Sequence, residues 1–79
     1  MVNPMAMLIL EATGSEGERL ALAAAEKTGI AVGWDSELNS ATFDSDLDGN
    51  DMQQQIFAAL DEIDPAWRIQ LMVLEDDAG

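Results

Sequence analysis

Sixteen Asp and Glu against only Arg19, Lys27 and Arg68 give this 79-residue chain a formal charge of −13, with no His. Three cations leave most carboxylates without a counter-charge, so any compact fold must be held by apolar burial working against self-repulsion. The apolar supply is adequate. Hydrophobic residues make up 48% of the chain, too many for an acidic disordered segment. A core of this size contributes roughly 3–5 kcal/mol without staples, and with no Cys neither disulfides nor thiolate metal sites add to it. One domain over residues 1–79 is expected, with 1–4 and 76–79 as flexible ends.

The same charge restricts partners. A nucleic-acid binder needs a basic footprint to displace counterions from phosphate, and an anionic membrane surface repels a chain like this one. The opening Met1-Val-Asn-Pro-Met-Ala-Met has no basic residue before the apolar run Met5–Leu10, which is too short for a signal-peptide core or a membrane span. A cytoplasmic protein is expected.

Periodicity sets the element order. Met5–Leu10 is a continuous apolar run, as in a strand buried on both faces, and Glu11–Gly14 reads as a loop. Ser15-Glu-Gly-Glu18 matches a capping box opening a helix that runs to Lys27 and stops at Gly29, with Leu20, Ala23 and Ala24 on one face. Ile30–Trp34 alternates with period two, Asp35–Ser40 reads as a hairpin turn, and Ala41–Phe43 returns as a short strand. After the loop Asp44–Gly49, Asn50 or Asp51 is positioned to cap a second helix. Met52, Ile56, Ala59, Leu60 and Ile63 form its apolar stripe, and Pro65 ends it. Arg68–Leu74 reads as a last strand and residues 75–79 as a charged tail. The order β-α-β-β-α-β predicts an α+β ferredoxin-like sandwich, with two helices on one face of a four-stranded antiparallel sheet.

Both sides of the outer pattern look apolar. Leu8 and Leu10 oppose Met7 and Ile9, while Met72 and Leu74 oppose Leu71 and Val73. A second apolar sheet face points to a homodimer interface centred on Leu8 or Ile9 with Met72 and Leu74.

Catalytic chemistry has little to work with. Without His or Cys the commonest general base and strongest nucleophile are missing, and an acid stands where a glycine loop would cradle phosphate, in Gly14-Ser-Glu-Gly17. No enzyme and no cofactor are expected. Asp44-Ser-Asp46-Leu-Asp48-Gly49-Asn50 resembles the first half of an EF-hand calcium loop, with carboxylates at positions one, three and five before the turning glycine. It departs from that family at position eight, Asp51, and at position twelve, where Gln55 replaces the bidentate glutamate. Small size, acidity and Ser45 after Asp44 are also similar to acyl carrier proteins, whose all-helical pattern this chain lacks.

The predicted strand directions place the Asp44–Asp51 loop and Glu75–Asp77 at one end of the sheet, about 10 Å apart across the first strand. Asp44, Asp46, Asp48, Asp51, Glu75, Asp76 and Asp77 would then form one anionic end. The leading expectation is a small acidic interaction protein that engages a basic surface on a partner, as a nucleic-acid mimic or inhibitor. The rivals are a calcium-binding module built on Asp44–Asp48 and a structural dimerisation domain with a salt-adapted surface.

Overall fold

In the computed structural model, which describes residues 6–77 with side chains through Leu74, the first apolar run sorts its residues strictly by alternation. Leu8 and Leu10 have no exposed surface, whereas Met7 and Ile9 are half-buried on the other side. This strand, β1 (Ala6–Ala12), is followed by α1 (Gly17–Thr28), β2 (Ala31–Asp35), β3 (Ser40–Ser45), α2 (Gly49–Ile63), a four-residue turn of helix α3 (Trp67–Gln70) and β4 (Leu71–Asp77). The sheet order is β2-β3-β1-β4 with every neighbour antiparallel. That is the ferredoxin-like arrangement read from the element order, with β1 and β3 central. The expected start of the first strand at Met5 lies outside the described residues.

One core joins sheet and helices. Leu8, Leu10, Ala41 and Phe43 from the central strands meet Leu20, Ala21, Ala24 and Ala25 of α1 and Met52, Ile56, Ala59 and Leu60 of α2. Each fully buried Leu, Ile, Met or Phe contributes about 1.5–3 kcal/mol relative to exposure. The alanine-rich face of α1 lets the helix sit close, although Ala21 and Ala25 make that face rather than Ala23, which is half-buried. As read from the sequence, α1 stops at Gly29. Its φ of 77° is left-handed, and its N–H donates to the Ala25 carbonyl at 2.8 Å, a conformation that glycine adopts without steric cost.

Three local expectations are corrected. The capping box does not form: Glu16 occupies the N-cap of α1 and no side chain of that segment caps it. Instead the backbone N–H of Glu16 donates to the Gln70 side-chain oxygen at 3.1 Å, and the N–H groups of Thr13 and Gly14 donate to the Gln70 carbonyl at 2.8 and 3.2 Å. At α2 the cap is Asp48, whose carboxylate accepts from the Asn50 N–H at 3.1 Å, so the helix begins earlier than Asn50 or Asp51 would allow. Finally, Arg68 lies in α3 rather than in a strand. The turn is held by Trp67, whose indole N–H donates to Asp61 at 2.7 Å and whose ring stacks on Phe57 at 5.4 Å. Strand β4 consequently runs from Leu71 through Asp77, so Asp76 and Asp77 are strand backbone rather than a loose end. It carries a register shift opposite Ile9 and Leu10: Val73 faces Leu10, Glu75 faces Ile9, and Leu74 is the extra residue of a bulge.

Packing at the start of α1 leaves no room for a side chain. A Cβ on Gly17 would stand 2.6 Å from the Ala12 Cβ and 2.8 Å from the Gln70 carbonyl oxygen. Helix propensity alone favours alanine over glycine by about 1 kcal/mol, but overpacking of this kind costs about 1–3 kcal/mol. Gly17→Ala is therefore expected to lower the urea midpoint, and a raised midpoint would show that the contact relaxes. Leu60→Ala, at a site with no exposed surface, is expected to cost about 2–5 kcal/mol through the cavity it leaves, measured in the same way.

Candidate functional site: an acidic sheet face and end

Backbone register brings together most of the residues that the sequence nominated. Met7 pairs with Asp44 on one side and with Asp77 on the other, Leu8 pairs with Asp76, and Ile9 pairs with Glu75. The end of β3 and the end of β4 thus flank the start of β1. With strands about 4.8 Å apart, Asp44 and Asp77 are separated by about 10 Å of sheet. The loop that follows β3 adds Asp46 and Asp48, and the first turn of α2 adds Asp51, all three exposed.

Local chemistry explains the shape of that loop. The Ser45 hydroxyl accepts from the Leu47 N–H at 3.0 Å, closing a tight turn of the kind serine favours. Asp48 then opens α2, where a carboxylate satisfies a free amide and lies favourably toward the positive end of the helix dipole. Beside the loop runs a shallow groove lined by Thr28, Gly29, Ile30, Ala31, Asp44, Ser45, Asp46 and Leu47. The C-terminal end of α1 opens onto it and adds its negative partial charge to that of the two aspartates.

Among the described residues, no three carboxylates converge in a geometry that would hold a metal ion. Of the acids that resemble a calcium loop, Asp48 caps α2 and Asp44 belongs to β3.

The residues nominated for a dimer interface do not share one face. Leu8 is buried in the core beneath the helices, so it is not available to a second molecule. This corrects the grouping of Leu8 with Ile9 as alternatives, which a continuous apolar run cannot separate. Ile9 lies on the opposite, open face, in register with Thr42 and Gly33. Met72, 46% exposed, joins it one row further along, opposite Glu11, while Leu74 sits at the bulge. Two residues not nominated from the sequence as site residues belong to this face, Glu11 and Asp35, both in register with Ser40. Their signal was present. Glu11 continues the alternation Met7–Ile9, and Asp35 continues Ala31–Gly33.

All three cations are carried by helices and engaged there. Arg19 contacts Glu16 at 2.6 Å and Lys27 contacts Glu62 at 3.3 Å. The Arg68 guanidinium lies over the Trp67 ring at 4.3 Å and near the Phe57 ring at 5.5 Å. No strand carries Lys or Arg. Among the described residues, Glu11, Asp35, Asp44, Asp46, Asp48 and Asp51 make no ion pair, and no helix described is long and apolar enough to cross a membrane. Compared with family models, curated proteins and solved structures, the chain matches none of them.

This charge distribution has two measurable consequences. Added monovalent salt is expected to raise the unfolding midpoint, because screening at about 8 Å under physiological conditions relieves repulsion among neighbouring carboxylates; insensitivity to salt would mean that the repulsion is already compensated. Calcium followed by NMR is expected to give diffuse, non-saturating shifts over all the acids. Saturable shifts confined to Asp44–Gln55 would instead establish the loop as a site.

Proposed function

We propose that this chain is a small, non-enzymatic acidic interaction protein that engages a basic surface on a partner protein. The observation that carries the reading is the separation of charge: every cation is on a helix and already engaged, whereas Asp44, Asp46 and Asp48 make no ion pair among the described residues. Asp44 is fixed on β3 and Asp48 by its capping bond to the Asn50 amide, so their positions are set before the partner arrives and little ordering is lost on binding. Spaced a few ångströms to about 10 Å apart, they offer a basic nucleic-acid-binding surface a substitute for phosphates, which makes a nucleic-acid mimic or inhibitor the specific form of this reading.

Exposed charges of this kind steer encounter more than they deepen affinity. Replacing Asp46, Asp48, Asp76 and Asp77 by Asn is expected to slow association with a basic partner by an order of magnitude or more at low salt, and to flatten its salt dependence. The fold is expected to survive, since Asn caps a helix about as well as Asp. Stopped-flow association across a salt series checks this, and an unchanged rate would refute the role of this end. If the partner binds nucleic acid, excess duplex DNA is expected to compete with the protein for it.

A further inference from the structure

The open face of the sheet has a composition unlike that of the acidic end. In register across the strands stand Ala31, Asp44, Met7 and Asp77, then Gly33, Thr42, Ile9 and Glu75, then Asp35, Ser40, Glu11 and Met72. Its middle is apolar or small, its margins carry carboxylates, and no cation lies on it. At Gly33 the surface is open, with no atom within 4 Å of where a Cβ would stand.

We infer that this face is the docking surface for an amphipathic cationic helix of the partner, laid with its apolar stripe on Ile9 and Met72 and its Lys or Arg residues reaching Glu11, Asp35 and Asp44. The inference rests on the reading that the partner is basic, and adds where it binds and in what form. Four strands present a floor about 14–19 Å wide, which accommodates one helix about 10–12 Å in diameter. Lys and Arg suit the margins because their aliphatic stems cover apolar surface while their charged ends reach outward to the acids.

Charge complementarity selects this occupant over the others. A second copy stacked face to face would set Glu11, Asp35 and Asp44 of each molecule against the same carboxylates of the other, with no cation between them. Nucleic acid and anionic membranes meet the same repulsion. An extended strand would need an open sheet edge rather than a face.

Two synthetic peptides of identical Leu and Lys composition test the inference, one with the lysines patterned for an amphipathic helix and one scrambled. The amphipathic peptide is expected to bind saturably, at least tenfold more tightly than the scrambled one, with NMR shifts at Met7, Ile9, Gly33, Thr42 and Met72. Ile9→Glu adds an acid while removing the apolar contact, so docking as inferred weakens about tenfold whereas attraction by charge alone strengthens. Should Ile9→Glu fail to fold, Met72→Glu, at a site 46% exposed, carries the same contrast. Equal binding of both peptides, tighter binding by the Glu variants, or shifts confined to the helices would overturn the inference while leaving a basic partner in place. A peptide-free dimer dissolved by Met72→Glu would overturn it in favour of a second copy. Binding of neither peptide at low salt would remove this inference and the basic partner together.

Discussion

The contact on which the rest of this molecule depends joins two segments 54 residues apart: the turn after β1 and the last residue of α3, Gln70. Gln70 accepts from three successive backbone regions of the turn, at Thr13, Gly14 and Glu16, while the Thr13 hydroxyl donates to the Ile69 carbonyl at 2.7 Å. The amides around the start of a helix need partners, and here the Glu16 amide at the N-cap finds its partner across the fold, while the Gly17 amide bonds locally to the Gly14 carbonyl. Because β4 begins at the next residue, Leu71, the same contact fixes where the last strand enters the sheet. A chain with so much like charge holds its two halves together by hydrogen bonds and close packing at a point where no ion pair is needed.

That contact explains which parts of the structure were legible beforehand. The order of strands and helices followed from periodicity, and the co-location of Asp44 with Asp76 and Asp77 followed from connectivity, since a right-handed crossover leaves strand directions no freedom. What escaped was decided by tertiary contact. Ser15 and Glu18 have the spacing of a capping box, but the helix begins one residue later, with Glu16 at its N-cap, and the Glu16 amide is taken by Gln70 from across the fold. Trp67–Gln70 is too short for a helical period to show, and its turn is held by Asp61 and Phe57 through the Trp67 side chain. Leu8 and Ile9 were indistinguishable for a related reason: an unbroken apolar run shows that both faces of a strand are apolar, and only the docked helices decide which one is sealed.

Charge on this molecule is sorted by layer. The helical layer carries all the cations, each already satisfied by a neighbouring carboxylate or by the stacked rings of Phe57 and Trp67. The sheet layer carries acids alone. Exposed ion pairs add little to stability, about 0–1 kcal/mol each, so the separation reads more naturally as a disposition of the surface than as a device for holding the fold. It leaves the sheet side with acids and no cation around an apolar middle, while on the helical side Glu18, Glu26, Asp51, Asp61 and Glu62 still outnumber the three cations.

The bulge in β4 bears on how this protein behaves when concentrated. Met72, Val73 and Leu74 are all at least 40% exposed on an edge strand, the kind of segment that templates pairing between molecules. At Leu74 the bulge interrupts the outward row of donors and acceptors and bends the strand, and from Glu75 onward three acids follow in sequence. A neighbouring strand would find only a short stretch of regular backbone before meeting both the kink and the charge. Such an edge is poorly suited to propagation along a fibre, even though the side chains of Met72, Val73 and Leu74 stay accessible.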